Sequence, residues 1–463
     1  MKETKVPEHK PLISESLSKV FAHIAASEDA FVSRVMDYVR HPSISAHNIG
    51  IASVAALLVS TLKSLGFEAE AVPTAGHPMV VGRWEKLPDA PTLLLYGHYD
   101  VQPPEPLDAW TSPPFEPTIR DGRIYARGIG DNKGQHFAQL LAIESHLYVH
   151  GTLPCNAIVL LEGEEEVGSP HIAEFIRRHR DKLKADLVVT SDGPLHPSGL
   201  PIITFGVRGV ASFELRARGA NQDVHSGNFG GVIPNPLWTL VHLLSTMKNK
   251  AGEITIDGLH DAIIPPTDLE RAAAARLPVS LEELKTEFGI SGLDAPADRP
   301  FFDRLMFHPT LTINGLHGGY GGPKSKTVLP HEAIAKCDVR LVEAQTPDDV
   351  FAKIAAHVRR HAPDVEFVPL NGMLPSKTPM DSVFGETIRK AIVAAHGVEP
   401  LLYPTLGGSL PDYVFTKILG VPAFVVPYAN ADEANHAPNE NLKLDCFIKG
   451  VRTGAALLSG LGV

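Results

Sequence analysis

The sequence predicts an α/β fold carrying an inserted α+β domain, and three observations predict it. Short apolar runs alternate with helix-like stretches: residues 92–96 (TLLLY), 157–161 (AIVLL), 187–190 (LVVT) and 423–427 (AFVVP). Runs this short and apolar throughout suit strands buried on both faces. Between the first two runs, residues 134–150 read as a helix with Phe137, Leu141 and Tyr148 on one side. Strand, helix, strand implies a crossover connection and a largely parallel centre. The pattern changes near Phe205: VRGVASFELRARG alternates like a half-solvated strand, and EAIAKCDVRLVE, ending at Glu343, does so again.

The remaining elements follow in order. Apolar residues at helical spacing over 17–65, as in VFAHIAASEDAFVSRVMDYV, predict helices ahead of the first strand. Pro/Ala/Glu-rich sequence over 265–290 predicts helices between the two alternating stretches. DSVFGETIRKAIVAAHG, from Asp381, returns to the α/β pattern. We therefore expect a discontinuous domain of residues 1–206 and 379–463, interrupted by a second domain of residues 207–378. A chain of 463 residues has room for this at about 150 residues per domain.

Composition narrows the function. Hydrophobic residues at 44% and charged residues at 21% exclude a disordered chain and indicate a soluble globular one. Lys and Arg number 42 against 53 Asp and Glu, a net charge of −11 with no basic block, so nucleic acid and anionic membrane are not expected partners. Cys155, Cys337 and Cys446 are too scattered for a disulfide framework or a thiolate zinc site. The polar start MKETKVPEHKPLISES lacks the apolar core of a signal peptide, and no run of 18 apolar residues exists. The expectation is a cytoplasmic enzyme.

Ligands of open α/β sheets gather just past the carboxyl ends of the strands. After TLLLY comes Gly97-His98-Tyr99-Asp100; after AIVLL, Glu162-Gly163-Glu164-Glu165-Glu166; after LVVT, Ser191-Asp192; after AFVVP, a polar loop leading to His436. A turn with Gly128 and Gly130 brings Asp131-Asn132 to the start of the first helix. Five segments thus deliver imidazole or carboxylate to one rim. Imidazole and carboxylate without thiolate suit zinc and similar divalent cations. One bridging carboxylate can hold two such ions about 3.5–4 Å apart. A further Glu, not bound to metal, could act as the base in metal-assisted hydrolysis.

Each feature has a plainer explanation when taken singly. With 22 histidines, His98 alone is weak evidence; the glutamate run could be a solvated loop; Asp131 could cap a helix and Asp192 could serve a turn. Turn chemistry does not explain why every buried run ends in a ligand type. Two other motifs mislead. GIGDNKG is one residue off the dinucleotide fingerprint, and HGGYGGPKSKT lacks the Gly-Lys-Ser/Thr ending of a P-loop. G-x-S-x-G is absent, so no nucleophile elbow exists.

These residues resemble the M20 metallopeptidases, and within them the dipeptidase and carnosinase-like branch. The matching pieces are GHYDVQP at 97–103, ARGIGDNKG at 126–134, EGEEEVGS at 162–169, SDG at 191–193, DVHSGNFGG at 223–231, SKTVLP at 325–330, DVRLV at 338–342, GGS at 407–409 and NHAPNE at 435–440. The resemblance implies a di-zinc aminopeptidase-like catalytic domain with an inserted α+β lid that mediates a homodimer. It implies two divalent ions, zinc first, with manganese and cobalt as alternatives. His98 and Asp192 would bind one ion and Glu166 and His436 the other, with Asp131 bridging. Glu165 would be the general base, and Asp100 would hold the imidazole of His98. The bond between Asp131 and Asn132 would be cis.

From the lid, the resemblance makes His225 the group that stabilises the oxyanion, against a plain turn residue in HSGNFGG. Arg340 becomes the clamp for a substrate carboxylate, against an exposed strand arginine, and Thr327 and Ser409 become further substrate hydrogen-bonders. The lid would close by a change of angle near 207 and 378. One position departs from the branch: Thr405 stands where it carries Arg, two residues before the double glycine. The expected activity is hydrolysis of a dipeptide or small peptide-like amide. The alternative, which Thr405 favours, is an M20-type deacylase or amidase acting on N-acyl amino acids or an unusual amide.

Overall fold

The computed structural model describes residues 13–293 and 300–462, so most of the polar N-terminal stretch discussed above lies outside the described residues. The chain divides into two compact units. The first comprises the described residues up to Phe205, then Thr378–Leu402 and the chain from Val414 onward; the second comprises Gly206–Lys377 and Tyr403–Tyr413. The sequence division at 379 puts that last segment in the first unit. Its backbone pairs instead with the second: the Leu406 N–H donates to the Gly206 carbonyl at 2.7 Å.

In the first unit an eight-stranded sheet runs in the order Glu68–Val72, Met79–Trp84, Asn156–Glu162, Thr92–His98, Leu187–Thr190, Ala423–Val425, Ile202–Thr204, Leu401–Tyr403. Thr92–His98 pairs in parallel with both of its neighbours, and Leu187–Thr190 in parallel with Ala423–Val425. These four are the apolar runs of the sequence, and Asn156–Glu162 is buried at every residue. Outside them, Met79–Trp84 pairs antiparallel with Asn156–Glu162 and with Glu68–Val72, and Ile202–Thr204 antiparallel with Ala423–Val425. A parallel centre covered on both faces is what continuous apolar runs require.

The first crossover is the helix Lys133–His150, which ends on Gly151 in the left-handed conformation. It packs against the C-terminal helix Leu444–Leu461 and the N-terminal helices Glu15–Ala26 and Glu28–Val39. Phe137 and Leu141 are buried in this core, but Tyr148 is exposed. The last turn runs past the packed layer, and the Tyr148 ring stacks on His23 at 4.1 Å between centroids.

The second unit has a four-stranded antiparallel sheet ordered Thr310–Gly318, Glu332–Leu341, Gly209–Arg218, Glu366–Met373. The two alternating stretches of the sequence are its adjacent central strands, with Phe213 opposite Cys337 and Leu215 opposite Ala335. Ala211, Phe213 and Leu215, with Ala335, Cys337 and Val339, form one apolar face under the helices Pro236–Met247 and Pro347–His361. Period-two alternation then places Asp338 and Arg340 on the opposite face. Among the described residues no helix is long and apolar enough to cross a membrane.

Candidate metal centre

All metal ligands expected from the sequence lie in the first unit, beyond the carboxyl ends of its parallel strands. His98 ends its strand, Glu165 and Glu166 lie in the 3₁₀ turn after Asn156–Glu162, and Asp192 follows Leu187–Thr190. Asp131 lies two residues before the first crossover helix, and the Asp131–Asn132 peptide is cis. Gly97 permits the crowding: a Cβ there would stand 2.7 Å from both Asn132 Oδ1 and His136 Cβ, closer than real contacts allow.

The Asp131 carboxylate sits between two imidazoles. His98 Nε2 is 3.0 Å from Asp131 Oδ1 and 3.6 Å from Asp192 Oδ2. His436 Nε2 is 3.0 Å from Asp131 Oδ2 and 3.1 Å from Glu166 Oε2. His98 Nδ1 donates to the Asp100 carbonyl at 3.0 Å, so Nε2 is the nitrogen that faces the carboxylates. His98, Asp131 and Glu166 offer ligand atoms within 4.8 Å of one another.

Several supporting side chains were not identified from sequence. The Glu440 carboxylate, fully buried, accepts four hydrogen bonds from the loop that carries Asp131. Arg127 Nη1 and the Gly128 N–H donate to Oε2, each at 2.8 Å; the Gly130 and Asp131 N–H groups donate to Oε1 at 2.8 and 2.9 Å. Gln135 Nε2 donates to the carbonyls of Gly130 and Gly193, tying the Asp131 loop to the Asp192 loop. Glu440 closes the NHAPNE motif, and its place there was the only available signal. Asp100 does more than the expected support of His98. Its carboxylate oxygens accept the N–H groups of Glu165 and Glu166 at 3.2 and 3.1 Å, so it also pins the glutamate turn.

The electrostatics fit cations. Burial, and then the Asp131 charge, pushes the carboxyl of Glu166 up to about 7 and that of Asp192 up to about 6. Burial holds Glu165 well above the carboxylate range, and the neighbouring Asp192, Asp131 and Glu166 add to it against the lowering influence of His98. Hydrogen bonds to Asp131 and Glu166 raise His436 to about 10. Glu433 is buried nearby, and neither of its carboxylate oxygens has a hydrogen-bond partner among the described residues. Two imidazoles do not neutralise this carboxylate cluster. Divalent ions do, and the nitrogen and oxygen donors with no thiolate are of the right type.

The other expected residues lie in the second unit, as two pairs. His225 Nδ1 accepts the Gly227 N–H at 3.0 Å, so the ring proton sits on Nε2, 3.2 Å from Thr327 Oγ1. Arg340 Nη1 donates to Ser409 Oγ at 2.8 Å.

The sequence pattern of peptidase family M20/M25/M40 matches residues 94–460, most of the chain. The chain belongs to this family. It is 30% identical to the Cys-Gly metallodipeptidase dug1 of Schizosaccharomyces pombe, over 94% of this chain and 96% of that one. It is 28% identical to the human Beta-Ala-His dipeptidase, over 95% of this chain and 92% of that one. The crystal structure of the M20 family metallo-carboxypeptidase Sso-CP2 from Sulfolobus solfataricus superposes with a TM-score of 0.87 at 34% identity, over 93% of this chain and 99% of that one. The M20 assignment agrees with the mixed α/β architecture and with the resemblance drawn from the motifs.

Proposed function

We propose that this M20 enzyme hydrolyses the amide bond of a dipeptide or small peptide-like substrate with the help of two divalent cations. The observation that carries the reading is the Asp131 carboxylate, set with one oxygen toward His98 and the other toward His436. The named activities of the relatives, two dipeptidases and a metallo-carboxypeptidase, support it. In this reading His98, Asp131 and Asp192 hold one ion, and Asp131, Glu166 and His436 hold the other. The donor types favour zinc and also accept manganese or cobalt.

Such ions supply a water of lowered pKa and polarise a carbonyl oxygen. Glu165 would take the proton of the attacking water and return it to the leaving nitrogen. His225 presents Nε2–H to the developing oxyanion, charge stabilisation that counts most in the transition state. Arg340 and Ser409 take the substrate carboxylate, with Thr327 orienting His225. A panel of dipeptides and N-acyl amino acids, assayed with the metal-loaded protein, tests the reading. Faster turnover of dipeptides is expected. Turnover of N-acyl amino acids alone would move the assignment to a deacylase.

The same reading extends to assembly and compartment. The edge strand Thr310–Gly318 exposes Ile313 and Leu316, and the helix Pro236–Met247 exposes Trp238 and Val241. An apolar sheet edge of this kind is normally covered, and a second copy of the second unit would cover it as a homodimer. Cys155, Cys337 and Cys446 are free and buried, in keeping with a reducing, cytoplasmic setting.

A further inference from the structure

Glu166 is gripped by one short stretch of chain, the loop that follows the strand Thr92–His98. Its N–H donates to Asp100 Oδ2 at 3.1 Å. Its carbonyl accepts Gln102 Nε2 at 3.2 Å, and the same nitrogen donates to Glu166 Oε2 at 2.8 Å. The Gln102 backbone N–H donates to Glu166 Oε1 at 3.1 Å. The loop itself is fixed between these two residues. Val101 is fully buried, and its N–H donates to the Ser43 carbonyl at 2.9 Å. A Cβ on Gly128 would collide with Val101 Cγ1, so the loop closes tightly on the turn that leads to Asp131.

Asp100 and Gln102 differ in reach. Asp100 serves both ligand sets, since its carbonyl accepts His98 Nδ1 and its carboxylate accepts the Glu165 and Glu166 N–H groups. The three hydrogen bonds that Gln102 donates all end on Glu166. A carboxylate oxygen has two lone pairs. Gln102 occupies one on each oxygen of Glu166, which leaves each oxygen another for a cation. Oε2 also stands 3.1 Å from His436 Nε2, the nitrogen that would share an ion with it. The His436 side chain is 55% exposed, whereas that of His98 is fully buried. The less packed imidazole gives the weaker hold, so a fixed Glu166 matters most on that side. A free glutamate loses rotamer freedom when it takes an ion, and donors that fix it beforehand remove that cost.

We propose that Gln102 is a positioning residue for one ion only, the ion on the His436 side. It sets the Glu166 carboxylate in place before that ion binds, and it leaves the His98-side ion untouched. The proposal rests on the two-ion reading above and adds to it a residue that reading does not use. It also makes the two ions unequal: one depends on the Gln102 amide and the other does not.

The experiment titrates chelator-stripped protein with zinc in competition with a chromophoric chelator and reads a dissociation constant for each ion. Two backgrounds separate the ions: Asp192→Ala should leave the His436-side ion, and Glu166→Ala the His98-side ion. Gln102→Met keeps the length of the side chain and loses the amide. In the Asp192→Ala background it should weaken zinc binding by about 10–100-fold, the usual effect of removing a group that orients a metal ligand. In the Glu166→Ala background it should change the affinity by no more than about twofold, as expected of groups that share no partner. Gln102→Asn, whose amide is one methylene short of Glu166, should show the same pattern, so a folding fault peculiar to methionine does not decide the outcome. Unchanged affinity when Gln102→Met is added to Asp192→Ala overturns the proposal. Equal weakening in both backgrounds also overturns it, because a merely loosened structure weakens both ions. If wild type itself binds fewer than two zinc ions, the two-ion reading has failed.

Discussion

Asp131 presents one carboxylate oxygen to His98 and the other to His436, each 3.0 Å from a ring nitrogen. With Asp192 beside the first imidazole and Glu166 beside the second, the ligands fall into two sets that share one residue. Asp131→Ala should therefore cost the protein both ions, whereas Asp192→Ala or Glu166→Ala should each cost one. Metal content after desalting, by elemental analysis, gives the count. Retention of two ions by Asp131→Ala would refute the bridging role.

Glu165 is the proposed proton carrier rather than a ligand. Glu165→Gln should keep both ions and lose about 10²–10⁴-fold in kcat, the usual worth of general base catalysis. Metal analysis and steady-state kinetics on the same preparation check it. Near-wild-type kcat with both ions retained would remove Glu165 from the mechanism.

Glu440 positions the Asp131 loop through its four accepted hydrogen bonds. Glu440→Gln replaces two acceptor positions by donors facing N–H groups and leaves the buried Arg127 without its counter-charge. A loss of about 3–5 kcal/mol in stability is expected, the cost of breaking a buried ion pair from one side. Chemical denaturation measures it, and weaker retention of metal should accompany it. Wild-type stability together with wild-type metal affinity would contradict the positioning role.

Glu162 gives a prediction for pH. Burial pushes its carboxyl up to about 8 from 4.5, despite the hydrogen bond from Tyr96. A carboxyl with a raised folded-state pKa binds more protons folded than unfolded. Its contribution is full below pH 4.5 and is lost as pH rises toward 8, at a slope approaching about 1.4 kcal/mol per pH unit. Glu162→Gln should flatten this part of the profile in melts from pH 5 to 8. A profile as steep as that of wild type would assign the pH dependence to other groups.

Much of this was legible in the sequence, for identifiable reasons. Buried parallel strands must be apolar on both faces, so TLLLY, AIVLL and LVVT mark the sheet and His98, Glu165, Glu166 and Asp192 mark its rim. Arg340 could be placed on the face opposite Cys337 and Val339 by alternation alone. What could not be read depends on contacts between distant segments. Glu440 reaches the Gly128–Asp131 backbone across more than 300 residues of sequence, and no local pattern records which N–H groups it meets. The segment Tyr403–Tyr413 follows the same logic: its two glycines signal a turn, but only pairing with Gly206 and Arg208 shows which unit holds it. Tyr148 fits the helical apolar spacing, yet the helix outlasts the layer it packs against.

The most direct measurement is a titration of chelator-stripped protein with zinc while dipeptide hydrolysis is followed. Stripped protein should be inactive, activity should rise to a plateau at two equivalents of metal per chain, and Asp131→Ala should show no plateau at all. Full hydrolysis by the stripped protein, or saturation at a single equivalent, would contradict a two-ion centre built on Asp131.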